Sequence, residues 1–274
     1  MEPVNGIVSE RQAVRVMHPE SPRQAVSFAK RFRSPYIAGG TWLQPSCERD
    51  RQWPVQLVAL NPDWPEFRGI RETEEGLSIG ALTTLDELAR HPLMALYLPQ
   101  LNGLIKRVAG PGVRHLGTVG GNLFAGGDLS ALALALDTEV DLVGSKGSNR
   151  RPLTRWLPDR QGGDLLRSVS LPDSRGWRVS LEKLGYRERF SPTRATVACV
   201  HDGEKVQLAV CGEGGPGRLT VTEAMLRDEG IRELTDLAIV VDSELETLGW
   251  HDTRLRLAVR RMLESGLMEL TRDV

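Results

Sequence analysis

The chain has 274 residues, of which 40% are hydrophobic and 26% are charged, and its formal net charge is −1. This length allows one large domain or two ordinary ones, and the composition favours a packed core over disorder. The balance of charge argues against a nucleic-acid binder, which usually carries a basic excess. No apolar run reaches the roughly 20 residues that span a bilayer, and residues 1–20 lack the apolar core of a signal peptide. We therefore expect a cytoplasmic protein without a membrane span.

The cysteines and histidines do not form the patterns of a metal site. Cys47, Cys199 and Cys211 lie far apart without a CxxC pair, and the five histidines are scattered. Zinc and iron–sulfur sites need clustered ligands, so we expect neither on this chain and interpret the cysteines as buried and reduced.

The first half of the chain predicts a small β-α-β opening followed by a mixed region. Ser21, Pro22 and Gln24 suit the cap, the first position and the capping-box partner of a helix near 22–33. Apolar runs at 36–38 and 55–60 predict strands. Next, the patterns predict a strand at 77–80, a helix opened by a capping box of Thr84 and Glu87, buried helices at 94–108 and 130–136, a strand at 139–143 and a turn at 144–151.

The composition changes near residue 172, where strands are followed by helices. Strands are predicted at 177–184, 195–201 and 205–211, and helices near 221–229, 231–240 and 253–267. Thr220 and Glu223 suggest a third capping box. This order indicates a separate α+β unit, and we place its boundary near residue 175.

Two glycine motifs are candidate phosphate sites. Gly39 and Gly40 directly follow a strand, so their backbone N–H groups could form a nest for an anion; a tight β-turn is the alternative. The segment Gly117–Asn122 (GTVGGN) again combines glycines with a hydroxyl and an amide. Two such bends could hold one pyrophosphate from both sides. Asp128 could accept a hydrogen bond from a ligand hydroxyl, or cap the helix that follows it.

A third glycine pattern is interpreted as a loop. Gly212, Gly214 and Gly217 match GxGxxG, the fingerprint of dinucleotide-binding Rossmann folds. That fold needs a helix to begin at once, but Pro216 intervenes and no parallel strand with a terminal acid follows.

Several segments together resemble the FAD-binding subunits of the xanthine dehydrogenase and carbon monoxide dehydrogenase family of molybdenum hydroxylases. The matching segments are YIAGGTWL at 36–43, LSIGALTTLDEL at 77–88, VRHLGTVGGNL at 113–123 and DLSALALALD at 128–137, with weaker matches at 165–172, 181–189 and 206–216. The resemblance implies an α+β fold: a two-part FAD-binding domain of the vanillyl-alcohol-oxidase (PCMH) type over 1–175, divided near 62, and a smaller domain over 176–274 with a three-stranded sheet plus helices.

The resemblance also implies which residues bind FAD. The first motif would wrap the pyrophosphate, the second would form another nest, Asp128 would bind cofactor hydroxyls, and Leu166 and Lys183 would lie near the flavin. Val108 occupies a position where relatives can carry an aromatic residue. The implied cofactor-binding set is Ile37, Ala38, Gly39, Gly40, Thr41, Trp42, Leu43, Val108, Thr118, Gly120, Gly121, Asn122, Asp128, Leu166 and Lys183.

Two of these residues have a second interpretation. Lys183 could stabilise a reduced, anionic flavin through its charge, or be a surface lysine without a role. Trp42 could pack on a bound ring or belong to the core. No catalytic acid or base is needed on this chain.

By resemblance, the chain would bind FAD and carry electrons within a complex. Partners would be a molybdopterin-binding large subunit and a 2Fe–2S small subunit, and the flavin would reduce NAD or another acceptor. Xanthine is the expected substrate of the complex, with carbon monoxide, nicotinate and aldehydes open. Two alternatives remain: a subunit that keeps the fold but binds no FAD, motivated by the short linker of residues 123–127, and a free-standing flavin oxidase.

Overall fold

A small parallel sheet forms the beginning of the fold. The computed structural model describes residues 13–144, 147–160, 163–187, 191–229 and 234–271. The sheet has the order β1-β3-β2, and two helices accompany it. These elements are β1 (Arg15–Met17), α1 (Pro22–Phe32), β2 (Tyr36–Ile37), α2 (Leu43–Asp50) and β3 (Gln56–Ala59). Ser21 caps α1 as predicted, because its side chain accepts the Gln24 N–H. The patterns did not predict β1 and α2.

An antiparallel five-stranded sheet follows, with the order β4-β5-β8-β6-β7. Its strands are β4 (Ile70–Thr73), β5 (Gly76–Gly80), β6 (Glu139–Gly144), β7 (Gly147–Pro152) and β8 (Leu165–Pro172). The turn predicted at 144–151 is wrong for residues 147–151, which form β7 and pair with β6. This polar strand lies at the sheet edge, so it lacks the apolar alternation of a half-buried strand. Residues 145 and 146 lie outside the described chain.

Seven short helices surround this sheet. They are α3 (Leu85–Arg90), α4 (Pro92–Tyr97), α5 (Leu101–Arg107), α6 (Pro111–Leu116), α7 (Val119–Phe124), α8 (Leu129–Ala135) and α9 (Leu153–Asp159). The predicted capping box of Thr84 and Glu87 is confirmed. The single helix predicted at 94–108 is wrong: α4 ends at Tyr97 and α5 begins at Leu101. Pro99 explains the break, because proline disfavours the helical conformation of the preceding residue.

The C-terminal part packs helices on a second antiparallel sheet. Its order is β12-β11-β10-β9, so a fourth, two-residue strand extends the three that were expected. The elements are β9 (Arg178–Gly185), β10 (Thr193–His201), β11 (Val206–Gly212), β12 (Gly217–Arg218), α10 (Thr220–Glu229), α11 (Leu234–Thr247) and α12 (Thr253–Thr271). The helix predicted at 231–240 begins partly outside the described residues. Strand pairing changes from one sheet to the other between β8 and β9; the division into domains near 175 and near 62 stays a prediction.

The capping box predicted for Thr220 and Glu223 is wrong. Helix α10 already includes Thr220, and the Glu244 carboxylate of α11 accepts the N–H groups of Val221 and Thr222, each at 2.9 Å. Glu223 instead accepts the Leu208 N–H at 2.7 Å. A cap supplied from another helix leaves no local pattern in the sequence.

The GxGxxG segment is a loop, as predicted. It joins β11 to β12, which pair antiparallel, and α10 begins only at Thr220. Gly214 is required by packing, since a Cβ there would lie 2.2 Å from the Trp250 ring.

The main hydrophobic core joins the two larger sheets. It contains side chains of the five-stranded sheet and helices α3, α4, α5, α7, α8 and α9, together with Val179, Leu181, Ala198, Val200, Ala209 and Cys211 of the C-terminal sheet. Helix α8 lies between these layers and is buried along its whole length. Its position fixes how the C-terminal sheet meets the glycine-rich segment that precedes it.

Candidate functional site

One large cavity contains both glycine motifs. Its volume is about 600 Å³, within the range of small-molecule sites. It lies between the loop after β2, the helix α7 and the edge formed by residues 192–193 and 212–213. Every residue of the predicted cofactor-binding set lines it except Asp128 and Lys183. Whether these residues contact the cofactor stays a prediction, but the topology brings them into one cleft.

The two motifs touch through Gly39. A Cβ on this residue would lie 1.8 Å from the Leu116 carbonyl oxygen, closer than any real contact, so only glycine fits here. Gly40 has φ +68°, in the left-handed region that favours glycine. The first glycine prevents a clash with the second motif, and the second turns the chain into α2.

The first motif is an open backbone nest. Within the described residues, the N–H groups of 38–42 have no hydrogen-bond partner, and the loop leads into the N-terminus of α2. Unpaired N–H groups at a helix start attract a phosphate oxygen. No hydrogen bond of the i to i+3 type closes a β-turn at Gly39 and Gly40 within the described residues; the Gly40 carbonyl instead accepts the Gln44 N–H at 2.9 Å, at the start of α2.

The second motif has a different construction from the predicted nest. The N–H groups of Val119 and Gly120 donate to the Thr83 and Ala81 carbonyls at 2.9 and 2.8 Å, and the Gly121 N–H donates to the Thr118 hydroxyl at 3.1 Å. These donors hold α7 against the loop after β5 and are not free for an anion. Gly120 and Gly121 instead present a surface without side chains to the cavity, on which a ligand could approach the backbone closely.

Asn122 connects this surface to α8. Its Oδ1 accepts the Leu129 N–H at 2.9 Å. Gly127 allows this arrangement, since a Cβ there would lie 2.6 Å from the Asn122 amide nitrogen. The short linker of residues 123–127 therefore folds tightly back, and residues 124–127 form part of the cavity wall.

Asp128 forms a buried ion pair beside the cavity. Its carboxylate accepts hydrogen bonds from Lys183 Nζ at 2.9 Å, Thr193 Oγ1 at 2.8 Å and Thr196 Oγ1 at 2.5 Å. The side chains of Asp128 and Lys183 are each 5% exposed. The capping alternative for Asp128 is therefore wrong, because the carboxylate points to the C-terminal sheet and Asn122 caps α8. The surface alternative for Lys183 is also wrong. Thr193 lines the cavity, so the pair lies directly behind the wall.

Trp42 is not a core residue. It is 59% exposed and lines the cavity, so the core-packing alternative is wrong. Val108 and Leu166, by contrast, are buried aliphatic parts of the wall.

The charges around the cavity are sparse. Among the described residues that line it, Glu213 carries the one charged side chain. A hydrogen bond from the Tyr186 hydroxyl, followed by one from Arg194, holds the pKa of Glu213 below its usual value. At another part of the wall, burial raises the pKa of Tyr36, which keeps its hydroxyl protonated and able to donate to the Gly163 carbonyl at 3.3 Å. An anionic ligand would therefore be held by backbone dipoles and not by cations.

The sequence interpretation missed some of the wall. Ala81, Phe124, Thr193 and Glu213 line the cavity, although none was named as a site residue. Ala81 and Glu213 lie inside the segments that carried the resemblance, and Phe124 directly follows the second motif. Their position in or beside those segments was the signal in the sequence that could have identified them as cavity-lining residues.

Comparison with known proteins decides the family. Residues 12–174, more than half of the chain, match the family described as the FAD binding domain in molybdopterin dehydrogenase. The chain belongs to this family. The predicted resemblance and the FAD cofactor are thereby confirmed, and the fit to FAD agrees with the cavity, its nest and its glycine surface.

Two relatives are similar over different shares of the chain. The carbon monoxide dehydrogenase medium chain of Hydrogenophaga pseudoflava is 34% identical over 258 residues, covering 84% of this chain and 87% of the relative. The putative xanthine dehydrogenase FAD-binding subunit of Escherichia coli K12 is 33% identical over 121 residues, covering 43% and 41%.

The solved structures agree on the fold. A carbon monoxide dehydrogenase from Hydrogenophaga pseudoflava superposes with a TM-score of 0.83 and 24% identity, over 94% of this chain and 96% of that chain. The predicted fold class, α+β with a PCMH-type FAD-binding part, is confirmed. No helix in the described ranges has the length and apolar character needed to cross a membrane.

Proposed function

We propose that this chain is the FAD-binding, electron-transfer subunit of a molybdenum hydroxylase complex. Its partners would be a molybdopterin-binding large subunit and a 2Fe–2S small subunit. When bound, FAD supplies the redox chemistry, taking electrons that arrive from iron–sulfur clusters and passing them to NAD or another acceptor. The observation that carries the proposal is the single cavity in which an unpaired N–H nest faces a glycine surface.

The protein residues in this proposal bind and orient the cofactor. The N–H groups of 38–42 would hold the pyrophosphate, and Gly120 and Gly121 would let it approach the backbone. Thr118 accepts the Gly121 N–H, so its own hydroxyl proton is free to donate. The aliphatic wall that includes Val108 and Leu166 would keep water from the ring system.

The sequence and its relatives suggest different substrates for the complex. Xanthine is the expectation from the sequence, but the carbon monoxide dehydrogenase medium chain of Hydrogenophaga pseudoflava is 34% identical over 84% of this chain, whereas the xanthine dehydrogenase/oxidase of Gallus gallus is 27% identical over 78%. This difference favours a carbon monoxide dehydrogenase-like complex. Substrate oxidation would take place on the large subunit, so assays of the assembled complex with carbon monoxide and with xanthine distinguish the two.

The structure removes the reason for the alternative, an assembly subunit that binds no FAD. The short linker of residues 123–127 was the reason to doubt cofactor binding. In the structure this linker is part of the cavity wall and holds Asn122 in place through Gly127. Nothing in it blocks the cleft.

Purification in the presence of FAD tests the proposal. We expect about one FAD per chain, with flavin absorbance at about 450 nm. Co-expression with the candidate large and small subunits should give one complex in which substrate reduces the flavin. A colourless protein that also takes up no FAD on reconstitution would contradict the proposed function.

A further inference from the structure

Trp42 is an exposed tryptophan that lines the cavity. Trp64, Trp156 and Trp250 are buried, whereas Trp42 is 59% exposed and lines the cavity. Trp53 is similarly exposed at 48% but does not line the cavity. An indole is large and apolar, so a ligand in the cleft that covered it would gain the free energy of burying that surface.

The position of Trp42 relative to the nest points to a ligand. It follows the unpaired N–H groups directly and stands at the N-terminus of α2. Within the described residues, its ring has no aromatic or cationic partner. Val113, another cavity-lining residue, is also 42% exposed, so the rim here is apolar. A phosphate held in the nest would therefore place its attached groups in the same cavity that Trp42 and Val113 line.

We propose that Trp42 is a cofactor-binding residue that stacks on a planar ring of FAD. The inference rests on the proposed function and adds an aromatic contact at the rim of the cleft. Stacking between a base and an aromatic side chain is favourable for any ring with a π face, so either adenine or the isoalloxazine would fit.

Four variants of the full-length chain test this, each stripped of flavin and reconstituted. Trp42→Ala should raise the Kd for FAD by about 10- to 100-fold, because the stacking contact is lost. Trp42→Phe should stay within about 3-fold of wild type, since a ring is kept, and Trp42→Leu should fall in between. Trp53→Ala is the matched control, an exposed tryptophan outside the cleft, and should bind FAD normally.

Acrylamide quenching gives a readout that does not depend on activity. The difference in emission between wild type and Trp42→Phe reports on Trp42, and we expect FAD to protect that component from the quencher. ADP and FMN, which each carry one ring, identify the stacking partner: the one whose Kd rises in Trp42→Ala contains it.

The outcomes separate the inference from the proposed function. If wild type binds FAD and Trp42→Ala binds it equally well, with Trp42 still open to acrylamide, the stacking proposal is wrong and the proposed function stands. If wild type itself binds no FAD, the proposed function fails. Because Trp42 is exposed, its replacement should leave the circular dichroism spectrum unchanged; should Trp42→Ala nevertheless misfold, Trp42→Leu decides the question.

Discussion

Replacing Gly39 by alanine should separate the two glycine motifs. The added Cβ would lie 1.8 Å from the Leu116 oxygen and 2.4 Å from its carbonyl carbon, while ordinary contact begins at 3.4 Å. The backbones must therefore move apart by about 1.6 Å to reach ordinary contact. Both atoms at Leu116 are backbone, so no flexible side chain can absorb the movement. Overpacking of this kind costs about 1–3 kcal/mol of folding free energy.

The loss of binding should exceed the loss of stability. Each hydrogen bond from an N–H to a charged oxygen contributes about 1.5–3 kcal/mol, and moving the nest should weaken at least two of them. The Kd for FAD should then rise by about 10²- to 10⁴-fold. We would measure this by titration of the flavin-free chain, with thermal unfolding recorded on the same sample.

Gly112→Ala is the matched control for Gly39→Ala. A Cβ on Gly112 meets nothing within 4 Å, although the residue lies next to the cavity-lining Val113. It should leave the Kd for FAD unchanged. If folded Gly39→Ala binds FAD within about 3-fold of wild type, the contact between the motifs does not position the nest, and the reasoning is refuted.

Three further predictions concern the same cleft. Gly121→Leu should keep the fold with some loss of stability, because a Cβ there meets Thr118 Oγ1 at 3.0 Å and that hydroxyl must shift. Its side chain should fill the cleft and abolish flavin binding, and full flavin content in the folded variant would contradict the glycine-surface assignment. Asp128→Asn should lower the free energy of unfolding in urea by about 3–5 kcal/mol, since Lys183 would be left buried without its counter-charge. Adding Lys183→Met to the same chain should restore part of that loss. A change under about 1 kcal/mol in Asp128→Asn would show that the ion pair does not stabilise the fold. The Kd for FAD should vary by less than about 3-fold between about 0.05 and 0.5 M NaCl, because no basic side chain of the described residues lines the cavity; a steep dependence would mean that a cation contributes.

Local patterns predicted the parts of the fold that depend on neighbouring residues. The Ser21 cap and the box of Thr84 and Glu87 form as expected, because both use donors and acceptors within one turn of helix. The third box failed at Glu223, whose carboxylate binds the Leu208 N–H of β11 instead. Strand β7 was missed because it is a polar edge strand whose pairing with β6 leaves no periodic signal.

The glycine motifs also show that local sequence predicts part of the site and that the surrounding structure decides the rest. The sequence placed two bends of small residues and assigned both as N–H nests. Within the described residues, the first leaves all N–H groups of 38–42 unpaired, whereas the second leaves only that of Thr118, since Val119, Gly120 and Gly121 donate to the Thr83 and Ala81 carbonyls and to the Thr118 hydroxyl. Two similar sequences thus differ in how many N–H groups they leave unpaired, because their surroundings differ.

The sequence by itself determined the family, the cofactor and 13 of the residues that line the cleft, because these are carried by short segments whose glycines, hydroxyls and strand ends act locally. Only the tertiary structure decided where the side chains of Asp128, Lys183 and Trp42 point. The first two meet across the boundary between α8 and the C-terminal sheet, 55 residues apart in the chain, and the third is left exposed at the rim. Burial and pairing over such separations are set by how whole layers pack, and no local pattern of residues encodes them.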